Sequence, residues 1–187
     1  MRRGGAGAEM FEEREIVGMY LTRTVAELSE LVRRGLLLAG SAPSDVLLVK
    51  GEPGPAELAG EALLSGRDGV ALSRALSTLG YADDAWAALA SARRAADGSW
   101  VPVGPEDLSF AVEVFDPELV VALDPAAAVS LAEAWALEAP LVPGEPRRVL
   151  GRRVLALGGF ERALDDPAQK RVMWARLKRV PPLGAPM

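Results

Sequence analysis

Two loops of this chain carry residue types that can bind or transform a ligand. The first, Lys50-Gly-Glu-Pro-Gly-Pro55, places the carboxylate of Glu52 directly after an apolar run. Such a carboxylate can position a water molecule, and the alternative is an exposed loop carboxylate beside Pro53. The second, Gly158-Gly159, follows another apolar run. It can offer backbone N–H donors to an anion, although a plain strand-to-loop turn has the same sequence.

Three further residues near these loops can contribute to a site. Phe160 can stack on a planar ligand, although an aromatic residue beside a strand end also serves as core. Arg162 can bind a phosphate or remain a solvated surface arginine. Asp124 is most simply the N-cap of a helix that begins at Pro125.

Alternating strands and helices are predicted to position these loops. Continuous apolar runs indicate buried strands at residues 45–49, 85–90, 118–123 and 154–157. The helices between them are predicted from capping residues and prolines at Asp68, Pro105, Asp124 and Asp166. This alternation predicts an α/β fold, a three-layer α/β/α domain with a central, mostly parallel four-stranded sheet. Loops at the carboxyl ends of the strands then meet at one edge, where open α/β sheets bind ligands.

The chain is predicted to be one domain over residues 1–187, with an N-terminal helical extension at about 9–39. A length of 187 residues suits a single domain. Apolar residues keep a helical period from Met10 to Leu38, and either Gly35 or Gly40 is predicted to end the helix. A long amphipathic helix of this kind can also pair with a second copy, which leaves a homodimer open.

The composition excludes several classes of site and location. The sequence has no cysteine and no histidine, which excludes disulfides and thiolate-held clusters and leaves only oxygen ligands for a metal. We therefore expect no metal and no cofactor. The sequence has no long apolar run, and glutamates stand near its start in place of an apolar leader. These features predict a cytoplasmic protein with no membrane partner.

The net charge of −5 is unevenly distributed along the sequence. Residues 147–179 carry ten Lys and Arg against three acids, whereas the remaining residues carry eleven against 23. A basic C-terminal face can attract the phosphates of a nucleic acid, and the alternative is a solvated helix face plus a basic hairpin. The candidate nucleic-acid-binding residues are Arg147, Arg148, Arg152, Arg153 and Arg162.

Residues 45–180 resemble, in order, the uracil-DNA glycosylase superfamily, particularly the thermophile-type family 4 enzymes. The loop after residue 49 is similar to that family's Gly-Glu-Ala-Pro-Gly, shortened by one residue. The stretch 116–127 resembles its Arg-Pro-x-Val-Ile-Val-Ala-Leu-Gly-x-x-Ala-Ala. Residues 166–178 resemble its Asn-Pro-x-x-Lys-Arg-x-x-Trp-x-x-Leu-Lys helix. The resemblance implies a uracil-DNA glycosylase-like fold and a DNA repair ancestry.

The resemblance also implies that ordinary uracil excision is lost. The family's late-loop histidine falls on Gly159, and its stacking aromatic falls on Leu63-Leu64. The sequence has no asparagine to read the base and no cysteine for the family's iron–sulfur cluster. Glu52 remains as the candidate catalytic residue. The predicted pocket loops comprise Gly51, Pro53, Gly54, Leu63, Leu64, Asp124, Gly158, Gly159 and Phe160.

Our interpretation is a uracil-DNA glycosylase-like pseudoenzyme, a non-catalytic module that binds nucleic acid, a nucleotide or a protein partner. One alternative is an active DNA-base N-glycosylase in which Glu52 positions water and loop N–H groups or Arg162 act as the electrophile. A second alternative is a structural domain that dimerises through its N-terminal helix. Convergence of Glu52 and residues 158–162 on one pocket is what an active enzyme requires.

Overall fold

The computed structural model describes Met19 and residues 23–184. Its helices are α1 (23–33), α2 (Pro55–Leu58), α3 (Arg67–Leu79), α4 (Pro105–Phe115), α5 (Pro125–Ala134), α6 (Phe160–Ala163) and α7 (Pro167–Leu177). Its strands are β1 (Leu38–Ala39), β2 (Val46–Lys50), β3 (Trp86–Ala90), β4 (Ala92–Arg94), β5 (Trp100–Pro102), β6 (Leu119–Ala122), β7 (Arg147–Val149) and β8 (Arg152–Ala156). Positions 9–18 and 20–22 of the predicted N-terminal extension lie outside the described residues.

The main sheet has six strands in the order β1-β3-β2-β6-β8-β7. The four predicted strands form its parallel centre, in which Val46 lies opposite Trp86 on one side and Leu119 on the other. The predicted count of four was wrong because β1 and β7 add an antiparallel strand at each edge. Both edge strands are only two or three residues long. Strands this short carry no apolar pattern of their own and form because a neighbouring strand offers its backbone.

The N-terminal helix ends at the first of its two predicted ends. Helical backbone ends after residue 33, and Gly35 takes the left-handed conformation at φ +85° that glycine adopts freely. Leu38 and Ala39 then pair with β3. The extension to about residue 39 is therefore not helical throughout, because apolar spacing alone does not separate a helix from a short strand that follows it.

Each face of the sheet buries its own hydrophobic core. Residues of β2 alternate between the two cores, with Leu47 and Val49 facing α1, α4 and α5. Val46 and Leu48 face α3, α6 and α7. Helices thus cover both faces, which is why the central strands are apolar on both sides and readable as continuous runs.

The strand order reverses between β2 and β6. The chain leaves β2 through α3 to reach β3 on one side, whereas β6 lies on the other side and is reached through α4. Loops that follow β2 and β6 therefore diverge and leave a crevice at the carboxyl edge, the usual ligand position in doubly wound sheets. No helix within the described residues is long and apolar enough to cross a bilayer.

Candidate functional site

A cavity of about 340 Å³ lies at the carboxyl edge of the sheet, where the strand order reverses. This volume falls at the lower end of the range of small-molecule sites, roughly 300–1,000 Å³. Its wall is formed by the loops after β2, β6 and β8 and by the start of α3. The lining residues are Lys50, Glu52, Pro53, Gly54, Pro55, Arg67, Asp68, Leu123, Asp124, Gly159, Phe160, Glu161, Arg162 and Asp165.

A buried lysine forms the floor of this cavity. Lys50 ends β2 on the side of Val46 and Leu48, and it is only 4 % exposed. Its Nζ lies 2.9 Å from Glu57 Oε2, 2.6 Å from Asp68 Oδ2 and 3.0 Å from Glu161 Oε2. A buried ammonium is costly unless carboxylates neutralise it, and here three of them do.

Protonation in this cluster follows from the same contacts. Burial lowers the pKa of the Lys50 ammonium, but the hydrogen bonds to Asp68, Glu57 and Glu161 outweigh it, and the net pKa is raised. Burial raises the pKa of the Glu57 carboxyl, but the Lys50 ammonium and the Leu64 N–H outweigh it, and the net pKa is lowered. Lys50 is therefore a fixed cation and not a proton donor near neutral pH.

Asp124 connects the two loops that diverge at the switch point. Its Oδ1 accepts from Ala127 N at 2.8 Å, which confirms the predicted N-cap of α5. Its Oδ2 accepts from Gly51 N at 2.8 Å and from Glu52 N at 3.1 Å. One buried carboxylate thus occupies three backbone donors, two of which belong to the predicted catalytic loop.

Two ion pairs cross the outer part of the cavity. Arg162 on α6 donates to Glu52 Oε2 in the loop after β2. Arg67 at the start of α3 donates to both oxygens of Asp165, at 2.5 and 2.7 Å. The Arg67 guanidinium holds the pKa of the Asp165 carboxyl below its usual range. Both cations are therefore paired with carboxylates of the chain itself.

The glycine loop after β8 does not present its N–H groups to the cavity. Gly159 N and Phe160 N both donate to the carbonyl oxygen of Leu123, at 3.0 and 2.8 Å. Gly159 takes φ +125°, which suits glycine and lets the chain turn into α6. The end of β6 thus uses the Gly159 amide that was expected to face an anion.

Seven of the predicted site residues line the cavity together: Glu52, Pro53, Gly54, Asp124, Gly159, Phe160 and Arg162. Four others do not. Gly51 lies behind the wall, close to the backbone of Ala126 and Ala127. Leu63 and Leu64 are buried in the core beneath α3, and Gly158 packs against Pro143. Gly51 and Leu63 instead line a much smaller neighbouring cavity that shares Lys50 and Pro53.

Four predicted nucleic-acid contacts lie away from Arg162, on the hairpin of β7 and β8. Arg152 and Arg153 begin β8 at the amino edge of the sheet, opposite the cavity. Arg152 pairs with Glu113 and Asp116, and Arg153 donates to Pro181 O and Tyr81 Oη. Arg147 and Arg148 donate to backbone carbonyls. The structure thus does not join these arginines into one groove with Arg162.

Sequence reasoning missed the lysine cluster and the pair Arg67–Asp165. The available signal for Lys50 was its register, since it shares the parity of Val46 and Leu48 in a buried strand. Asp68 was taken as an N-cap, but Gly66 holds that position. The buried Asp68 carboxylate instead contacts Lys50.

The lining is acidic overall. It contains five carboxylates, Glu52, Asp68, Asp124, Glu161 and Asp165, against three cations, Lys50, Arg67 and Arg162, a balance of −2. Within the described residues, no group of three or more acidic side chains is arranged to hold a metal ion. The predicted lack of a metal or cofactor stays a prediction.

No protein-family model matches the chain, and no curated protein sequence is significantly similar to it.

Proposed function

We propose that this chain is a uracil-DNA glycosylase-like module without ordinary uracil excision, and that its cavity binds the base of a nucleoside or nucleotide. The resemblance over residues 45–180 motivates the family, and the cavity supplies a place for the ligand. Glu52 and Asp124, from two of the resembling segments, line the same wall as Gly159, the position of the family's late-loop histidine.

The observation that supports the loss of excision is that each cation of the cavity is paired with a carboxylate of the chain itself. Catalysis of base release needs preorganised donors aimed at the negative charge that develops on the leaving base. Lys50, Arg67 and Arg162 each contact a carboxylate of the chain. The N–H groups of the glycine loop face Leu123 O. Among the described residues that line the cavity, none offers an unpaired cation for this role.

A small ligand fits the site better than a DNA duplex does. Duplex binding relies on Lys and Arg contacts to phosphates. Here the cavity lining carries a balance of −2, and Arg152 and Arg153 are engaged locally at the opposite edge of the sheet. The distribution of charge therefore favours a nucleoside or a splayed single base over a helix.

An active glycosylase is the second candidate, and one observation favours it. Glu52 lines the same cavity as Gly159, Phe160 and Arg162, and its side chain is 38 % exposed. A ligand that drew Arg162 away would release the Glu52 carboxylate to position water. Separation of this pair is the step that such an enzyme would need.

The test measures excision and binding in the same samples. Labelled single- and double-stranded oligonucleotides that contain uracil are incubated with the protein at two salt concentrations. The proposal expects no uracil release. Release that Glu52→Ala abolishes and Glu106→Gln retains would overturn it in favour of the active enzyme.

Base binding is located by NMR. Titration of the labelled protein with a mixture of millimolar nucleosides is expected to shift the amide signals of residues 52–54 and 159–162. Amides of the β7–β8 hairpin, at the opposite edge, serve as the internal control. Absence of any shift around the cavity would contradict the proposed ligand.

A further inference from the structure

The cavity wall contains two carboxylate oxygens that receive no hydrogen bond from the described residues. Arg162 donates to Oε2 of Glu52, and Lys50 contacts Oε2 of Glu161. The second oxygen, Oε1, of each side chain has no donor among the described residues, and that of Glu161 lies beside Gly54. Both side chains are partly exposed at the cavity, at 38 % for Glu52 and 23 % for Glu161.

The buried ammonium and several backbone N–H groups of the same wall, by contrast, already have acceptors within the chain. The Lys50 ammonium lies among three carboxylates, and Asp124 holds the N–H groups of Gly51 and Glu52. Gly54 N donates to Glu57 Oε2 at 2.8 Å. The wall thus offers acceptors to a ligand and has committed these donors to the chain itself.

We infer, on the premise of the proposed function, that the cavity prefers a pyrimidine that presents an amino group on its pairing edge, cytosine, over uracil. The exocyclic amino group of cytosine donates to carboxylates, which is the usual way that Glu and Asp read this base. Uracil places a carbonyl oxygen at the same position, where it would face Glu52 or Glu161 and be repelled. The cavity thus distinguishes the two bases because cytosine supplies a hydrogen-bond donor to the carboxylates and uracil does not.

The charge balance extends this preference to phosphates. A wall with a balance of −2 repels a phosphate dianion, and the backbone amides that could bind one are capped by Asp124 and Glu57. A 5′-phosphate therefore adds no affinity to the nucleoside. The ligand class is a neutral amino-bearing nucleoside.

The test compares cytidine, uridine and cytidine 5′-monophosphate by calorimetric titration of the full chain. Cytidine is expected to bind about tenfold more tightly than uridine, the scale of one good amino–carboxylate pairing. The monophosphate is expected to bind no more tightly than cytidine. Glu52→Gln should bring the cytidine-to-uridine ratio close to one, because it removes a charged acceptor and releases Arg162. Glu106→Gln, an exposed change outside the cavity, should retain the wild-type ratio.

The outcomes separate this inference from the proposed function. Equal affinities, or tighter binding of uridine, would overturn the cytosine preference and leave base binding intact. Tighter binding of the monophosphate would overturn the charge argument. No binding of any nucleoside at millimolar concentration would overturn the proposed function as well. Because Glu52 is partly exposed, we expect the Glu52→Gln variant to fold. Circular dichroism of the variant checks this expectation.

Discussion

Lys50→Met tests whether the buried ammonium holds the cavity floor together. The substitution keeps an unbranched chain of similar length but leaves Glu57, Asp68 and Glu161 without the cation that they share. Removal of one partner from a buried ion pair costs about 3–5 kcal/mol, because the remaining charge is uncompensated. For a domain of this size each kcal/mol shifts Tm by about 2–4 °C, so we expect a loss of about 6–20 °C.

The destabilisation caused by Lys50→Met should depend on pH, and the pKa of Glu57 gives the direction of this dependence. In the wild type the pKa of Glu57 is lowered, so its stabilising contribution is present above its unfolded value and is lost only as pH falls through the folded pKa. Without Lys50, the N–H groups of Leu64 and Gly54 still lower the pKa of this carboxyl, but the ammonium no longer offsets burial, so the pKa is higher than in the wild type. As pH falls from 7 towards 5, the folded variant therefore binds a proton at a higher pH than the folded wild type does. The difference in the free energy of unfolding between the wild type and Lys50→Met should therefore become smaller as pH falls over this range.

Urea denaturation of both proteins at pH 7 and pH 5 measures the deficit, with Lys170→Met as the matched control. Lys170 is exposed on α7, and its substitution should change the free energy of unfolding by less than about 0.5 kcal/mol. A deficit below about 1 kcal/mol for Lys50→Met would refute the reasoning. A difference in unfolding free energy that becomes larger as pH falls from 7 to 5 would show that the uncompensated Glu57 carboxylate is not its cause.

Two further predictions concern the backbone around the cavity. Asp124→Ala leaves three backbone donors without their carboxylate, so we expect the free energy of unfolding to fall by about 2–4 kcal/mol in urea denaturation. A fall of less than about 0.5 kcal/mol would mean that Asp124 does not connect the loops. Gly69→Ala should destabilise by about 1–3 kcal/mol, although alanine normally favours a helix, because the new Cβ would overlap the carbonyl oxygen of Leu64. Gly104→Ala, whose Cβ meets nothing within 4 Å, should change stability by less than about 1 kcal/mol, and a stabilising Gly69→Ala would contradict the close approach.

The central strands could be predicted because each is buried on both faces. A residue such as Leu47 or Leu48 must then be apolar whichever way it points, so the run is visible in the sequence. The edge strand Leu38–Ala39 could not be predicted, since it pairs with a strand that is distant along the chain and its residues fit a helix end equally well. The other edge strand, Arg147–Val149, belongs to a hairpin with β8, and a basic hairpin was one of the two interpretations of this region.

The site was predictable only where strand ends determine it. Glu52, Asp124 and Gly159 follow three parallel strands, so their convergence at one edge follows from topology. The ion pairs at the cavity could not be predicted from the local sequence, because Arg162 is 110 positions from Glu52 and Arg67 is 98 positions from Asp165. Pairing across such separations requires the folded chain.

The balance of donors and acceptors supports the proposed binding module over an active enzyme. In a catalytic site, donors are held ready for charge that appears only in the transition state, and pairing them with the chain's own carboxylates removes that capacity. Here Asp124 occupies the amides of Gly51 and Glu52, and Glu52 in turn occupies Arg162. Each of these contacts rigidifies the wall while it consumes a donor. The same contacts that would silence excision therefore preorganise the cavity for a ligand that brings its own donors.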